Sequence, residues 1–184
     1  VGLWWQSTGI ATESAGNPIS QIFVDGGIGD CALDAGWTSV GVLVQGNGLL
    51  EIVDSVLFAG PGKFHSFRSI TTGVFALLDE GGYLGLLRNK IYGGDHAGGS
   101  NGQYGVFLGS SGEYTLRNNM IHGGNGPFHS GNDHAATGIR LNPGTYAADI
   151  TYNTIYAGMH VSPNLGSCFS SGAAAGQHSF VANN

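Results

Sequence analysis

Charge is scarce in this chain: Asp, Glu, Lys and Arg together make up 10% of its 184 residues, and six basic against twelve acidic residues leave a formal net charge of −6. The basic residues Lys63, Arg68, Arg88, Lys90, Arg117 and Arg140 are scattered along the chain. It therefore lacks the electrostatic footprint that neutralises a phosphate backbone, and nucleic acid is excluded as a partner. No apolar run reaches the roughly eighteen residues of a membrane-spanning helix, so no membrane span is expected. The chain opens on Val1-Gly2-Leu3-Trp4-Trp5, without an initiator Met or a signal-peptide pattern, which reads as a processed product or an excised piece.

Glycine is abundant instead. Thirty-four glycines approach the level of low-complexity sequence, yet a 41% apolar content and an ordered repeat argue against disorder. Low charge with many Gly, Ser, Thr and Asn suits a secreted repeat protein, and an extracellular or cell-surface location is expected.

The repeat is a nonamer, apolar-x-x-Asn-x-apolar-x-Gly-Gly. Its clearest copies start at Leu86, Leu116 and Ile150. Extended both ways, the pattern gives anchors Ile19, Ile52, Leu86, Leu116, Ile150 and Phe180, spaced by 33, 34, 30, 34 and 30 residues. A fixed period of this size means stacked coils. A second apolar column is Val24, Leu57, Ile91, Ile121 and Ile155. Between the two columns stand Ile22, Ser55, Asn89, Asn119, Asn153 and Asn183, and the last four make a candidate asparagine ladder. An Asn there can bond both its own bend and the amide of the next coil, satisfying polar groups that would otherwise be buried unpaired.

Each nonamer is preceded by a Gly-apolar-x-apolar strand at Gly41, Gly73, Gly105 and Gly138, with Gly9-Ile10 as a weaker first copy. Turn glycines Gly16, Gly48, Gly82, Gly112 and Gly144 fall between the two elements, where positive φ is expected. The coil reads strand, turn, short strand, Asn bend, short strand, Gly-Gly, loop. Three short strands cannot bury an apolar edge alone, so neighbouring coils must pair in parallel at roughly 4.8 Å per coil. The expectation is an all-β parallel β-helix (solenoid) of about six coils, roughly 30–34 residues each, forming one domain over 1–184 that is uncapped at both ends.

The Gly-Val-x-Val strand and the Leu-x-x-Asn-x-Ile bend resemble the right-handed parallel β-helix repeat of pectate-lyase-like enzymes, phage tailspikes and bacterial surface proteins. The resemblance covers roughly residues 9–184 and specifies fold far better than function. The lyases of that fold pair Asp or Glu for calcium with an Arg or Lys base on the strand face; here Arg88, Arg117 and Arg140 have no matching acidic cluster in the sequence. The glycosidases of the fold carry an adjacent aspartate pair, and the one adjacent acidic pair here, Asp79-Glu80, precedes Gly81-Gly82 in a turn. A phage or toxin tail component would trimerise, and the sequence carries no mark of it.

Candidate chemistry sits in the loops after each Gly-Gly. Asp95 and His96, then His129, Asp133 and His134, with His160 beyond, could gather on one side of the rod as a hydrolytic, lyase or metal site. Ordinary loop composition explains them equally simply, and no fixed ligand spacing is present. Asp25, Asp30 and Asp34 share one Gly-rich loop that could ligate Ca²⁺, although the spacing is not that of an EF-hand; no other cofactor is expected. Phe58, Tyr92, His122 and Tyr156 follow the second inner column by one residue and form an outward aromatic stripe. The stripe is suited to stacking on sugar rings or, as the simpler reading, on itself from coil to coil.

Cys31 and Cys168 lie four to five coils apart by this registry, roughly 20 Å, too far for a disulfide within one molecule; this leaves free thiols, with burial expected, or a bond between molecules. The chain stops inside a nonamer at Phe180-Val181-Ala182-Asn183-Asn184, and Val1 of a second copy would complete it, so end-to-end self-association is expected. The preferred reading is a non-enzymatic, secreted structural or adhesive protein that stacks head to tail into a filament. The alternative is a polysaccharide-active enzyme or carbohydrate-binding rod.

Overall fold

A computed structural model describes residues 1–7, 18–27, 37–61, 70–95, 102–109, 111–125, 136–142, 147–158, 167–171 and 178–182. Strands follow one another in threes. The first two sets are β1 (Leu3–Ser7), β2 (Ile19–Ser20) and β3 (Phe23–Asp25), then β4 (Trp37–Gly46), β5 (Leu49–Val53) and β6 (Val56–Phe58). Next come β7 (Ile70–Leu78), β8 (Tyr83–Leu87) and β9 (Lys90–Tyr92), then β10 (Gln103–Gly109), β11 (Glu113–Arg117) and β12 (Met120–His122). The remainder are β13 (Ala136–Leu141), β14 (Ala147–Thr151), β15 (Thr154–Tyr156), β16 (Ser167–Ser171) and β17 (His178–Ala182).

Every third strand joins the same sheet. The long sheet runs β1-β4-β7-β10-β13-β16, the second β2-β5-β8-β11-β14-β17, and the short-strand sheet β3-β6-β9-β12-β15. All neighbours are parallel, as in β4 on β7 and β11 on β14. The chain is an all-β parallel solenoid, and among the described residues no element is helical.

The three sheets enclose one apolar core built from columns of like residues. The long sheet contributes Val42, Val74, Val106 and Ile139, all fully buried. The second sheet contributes Ile52, Leu86, Leu116 and Ile150 in direct register, and the short-strand sheet contributes Leu57, Ile91 and Ile121. Each fully buried Leu or Ile stabilises by about 1.5–3 kcal/mol, packed against its own coil and the adjoining ones. Tyr114 takes a core position that is Leu50 and Leu84 in the preceding coils; its hydroxyl donates to the Gly109 carbonyl at 2.6 Å, so a polar group is buried with a partner.

The asparagine column forms as a continuous ladder. The backbone N–H of Asn89 donates to Asn119 Oδ1 at 2.8 Å, and that of Asn119 to Asn153 Oδ1 at 3.0 Å. Each amide nitrogen reaches backward to the core carbonyl of the preceding coil: Asn89 Nδ2 to Ile52 O, Asn119 Nδ2 to Leu86 O and Asn153 Nδ2 to Leu116 O. Ser55 continues the ladder with a hydroxyl, donating its N–H to Asn89 Oδ1 and accepting from Ile22 N–H at 3.2 Å. Asn183 lies outside the described residues.

The ladder holds a strained bend. The residue immediately before each rung is left-handed and not glycine: Gln21 (φ 55), Asp54 (φ 51), Arg88 (φ 56), Asn118 (φ 56) and Tyr152 (φ 58). Left-handed backbone costs roughly 1–2 kcal/mol per such residue, which the buried ladder bonds offset.

Four expectations are corrected. The turn glycines Gly48, Gly82 and Gly112 are not at positive φ; that conformation falls on Gly46 (φ 98) and Gly81 (φ 82). Gly112 is needed for space, since a Cβ there would lie 2.3 Å from Leu78 Cβ. The first strand of the long sheet begins at Leu3, not at Gly9-Ile10, with Leu3 paired to Val42. In the last coil Val181, not Phe180, pairs with Ile150, two adjacent apolar residues satisfying the pattern equally. Val1 precedes the long sheet, with the next N–H, that of Gly2, bonded to the carbonyls of Val40 and Gly41, so it is not placed to complete the nonamer of the short-strand sheet. Gly16 and Gly144 lie outside the described residues.

Replacing Asn119 by Ala strands the Asn89 N–H and the Leu86 carbonyl in the core. The expected loss is about 3 kcal/mol or more, read by urea or thermal unfolding; a loss below about 1 kcal/mol contradicts the ladder's role.

Candidate functional site: the outer face of the short-strand sheet

Strands of three residues with the middle one inward leave two outward columns. One is Phe23, Val56, Lys90, Met120 and Thr154, and the other is Asp25, Phe58, Tyr92, His122 and Tyr156. The aromatic stripe is therefore real and outward. Its rings lie on one another: Phe58 and Tyr92 centroids are 4.9 Å apart and nearly parallel at 17°, Tyr92 and His122 are 4.7 Å apart at 29°, and His122 and Tyr156 are 4.7 Å apart at 52°. Phe58, Tyr92 and His122 therefore stack from coil to coil, and Tyr156, tilted against His122, is half exposed.

A polar cluster adjoins it. The Tyr92 hydroxyl donates to Asp95 Oδ1 at 2.5 Å and accepts from Asn125 Nδ2 at 2.8 Å, while Asp95 and Asn125 bridge in parallel from adjacent coils. Burial, then the adjacent Asp95 carboxylate, raises the Tyr92 pKa well above the ordinary phenol value, so the hydroxyl keeps its proton. His122 Nδ1 accepts from the Gly124 N–H at 2.9 Å, which requires the neutral Nε2–H tautomer when that bond is made. Burial lowers the His122 pKa, outweighing the opposing pull of Asp95.

The Gly-Gly corner beside this cluster leaves no room for side chains. A Cβ on Gly94 would lie 2.2 Å from the Gly60 carbonyl oxygen, and on Gly124 2.2 Å from that of Gly94, with φ of +84 and +108. Coils at this corner touch backbone to backbone.

Of the other sequence candidates, His96, His129, Asp133, His134 and His160 lie outside the described residues, as do Asp30, Asp34 and Cys31. Asp25 is exposed and its Oδ1 accepts the Gly27 N–H at 2.8 Å, an ordinary turn contact. Among the described residues no three His, Cys, Asp or Glu side chains gather to hold a metal. Cys168 is free and exposed, not buried as expected, because it lies on the outermost strand of the long sheet.

Sequence reasoning missed the partners of the basic residues. Arg88 stands at a bend, not on a strand, and makes a two-pronged bond to Asp54 at 2.7 and 2.8 Å. That bond, more than the bare charge, holds the Asp54 pKa down. Arg117 pairs with Asp149 across adjacent strands. The Asp54–Arg88 spacing of 34 residues equals one repeat and was the available signal. The Arg140 guanidinium lies 5.9 Å from the Tyr104 ring centroid and 3.5 Å from Ser170 Oγ.

Comparison with protein-family models, with curated proteins and with solved structures finds no match for the chain. The class it falls in is the one its own coordinates define, a parallel β-solenoid.

Because the folded state favours neutral His122, the unfolded chain takes up the proton first. The stabilising effect is present above the ordinary imidazole value of 6.5 and is lost as pH falls through the lower folded value. His122→Phe keeps an aromatic ring in the stack, so its stability should fall less steeply than the parent's below that pH in denaturant titrations. Parallel curves would show that His122 does not carry the dependence.

Proposed function

We propose that the chain is a secreted structural or adhesive element, a rigid β-helical rod whose loops make its contacts. One observation carries the reading: among the described residues, the outward aromatic column, Arg88, Arg117 and the Tyr92 hydroxyl are engaged by neighbouring side chains. The aromatic rings cover one another. Arg88 is matched by Asp54, and Arg117 by Asp149. The Tyr92 hydroxyl is held by Asp95 and Asn125. Such an arrangement supports persistence of shape, and low charge with abundant small polar residues supports an extracellular setting.

A second reading, a pectate-lyase-like polysaccharide-active protein, draws on the hydrogen-bonded Tyr92, Asp95 and Asn125 cluster. It stands at the root of two loops whose next residues include His96 and, further on, His129, Asp133 and His134.

The two readings separate in one assay. Incubated with uronic-acid polymers and with neutral β-glucans, the protein is expected to release no new reducing ends above a protein-free control, and binding without turnover would fit the adhesive role. Turnover that disappears in Asp133→Ala or His134→Ala reverses the order of the readings.

A further inference from the structure

We infer that His122 is a pH-operated clasp on the corner between the third and fourth coils, its Nδ1 holding the Gly124 N–H only while the ring is neutral. Its operation is independent of what the rod binds.

The corner glycines Gly27, Gly60, Gly94, Gly124 and Gly158 lie over one another, all at positive φ. Two residues before each stands a member of one outward column: Asp25, Phe58, Tyr92, His122 and Tyr156. Two of these carry an acceptor beside the backbone, and both take the corner N–H. Asp25 Oδ1 accepts from Gly27 at 2.8 Å, and His122 Nδ1 accepts from Gly124 at 2.9 Å. The phenyl and phenol rings in the other three coils have no ring nitrogen or carboxylate to do the same. The two acceptors answer a proton differently. A protonated carboxyl keeps an acceptor oxygen, whereas imidazolium is a donor at both nitrogens. Acid therefore leaves the Asp25 turn with an acceptor but sets an Nδ1–H of His122 against the Gly124 N–H.

What the clasp secures is the contact of the next residue with the coil before. The Asn125 N–H donates to the Gly94 carbonyl at 3.2 Å, its Nδ2 donates to the Tyr92 hydroxyl at 2.8 Å, and its backbone bridges to Asp95. Gly124, at φ +108, is free to take many backbone conformations once released, so the contacts that follow it weaken together. The asparagine ladder at the other end of the same short strand is built from amides, which do not titrate, and it stays closed.

The titratable groups facing the His122 ring are Tyr92 from β9 and Tyr156 from β15, stacked on either side, and the Asp95 carboxylate at the Tyr92 hydroxyl. Lys90 of β9 stands in the other outward column, paired with Met120. Of the long-sheet strands adjoining β12, β10 carries Tyr104 and β13 carries Arg140, and these two lie against each other. Burial outweighs the pull of Asp95 toward the charged ring, so release falls on the acid side of the ordinary imidazole value of 6.5.

The experiment follows single-amide hydrogen exchange by NMR on either side of the His122 ring titration, in the parent, His122→Asn and His122→Phe, with each rate corrected for the intrinsic effect of pH. In the parent, protection of Gly124 and Asn125 is expected to fall about tenfold as the ring gains its proton. Protection of Thr154, whose N–H donates to the Asn119 carbonyl at 2.8 Å, is expected to stay constant. His122→Asn offers an acceptor that does not titrate and should hold Gly124 at both pH values; His122→Phe offers a ring without an acceptor and should hold it at neither. Four results overturn the inference: parent protection that does not change while the ring titrates, a ring that stays neutral until the whole fold is lost, a fall shared equally by Thr154, or an equal fall in His122→Asn. The first three are read on the parent alone, whether or not a variant folds.

Discussion

The architecture rests on one contact, repeated: a side-chain amide oxygen accepting the backbone N–H of the bend in the coil before it, while its own nitrogen returns to a carbonyl of that coil's core strand. Asn89, Asn119 and Asn153 make this contact in series, and Ser55 makes its shorter version. Each bend turns the chain through a left-handed residue that is not glycine. Without the ladder, that turn would leave buried amides unpaired at a place already strained. With it, strain and burial are both compensated, and the bend is locked to a particular distance from the next coil.

That distance governs everything else. Where the Gly-Gly corners stack, and where the short strand closes on the long sheet, a Cβ finds no room, which is why the Gly60, Gly94 and Gly124 corner and the Gly41, Gly73 and Gly105 column are occupied as they are. The same spacing suits stacked rings, so Phe58, Tyr92, His122 and Tyr156 fall into contact without further design. It also aligns charges one repeat apart, placing Asp54 against Arg88 at a bend.

Much of the fold was legible in the residues because a solenoid writes its three-dimensional neighbours into its period. The two inner columns, the ladder and the stripe all follow from a repeat of roughly thirty residues, and the registers from Ile52 to Ile150 agree with it. What was not legible lies where the pattern is locally degenerate or geometric. Phe180 and Val181 are adjacent and both apolar, so the period alone cannot choose between them. Leu3 precedes two tryptophans instead of the usual Val-x-Val, which hid the first strand. Which turn glycine carries positive φ depends on backbone torsion, and composition is silent on it. The outer face was half legible: the aromatic column could be read, but whether its rings faced solvent or one another depended on ring planes. The hydrogen bond from Asn125 to Tyr92 had no sequence signature beyond its one-repeat separation of 33.

The central claim is that the ladder couples each coil to its immediate neighbour. A double-mutant cycle on Asn89→Ala and Asn119→Ala, with Asn89→Ala and Asn153→Ala as the pair two coils apart, measures that coupling by denaturant unfolding. The account predicts an interaction energy of about 1 kcal/mol or more for the adjacent pair and near-additivity for the separated pair. Additive effects at Asn89 and Asn119 would contradict it.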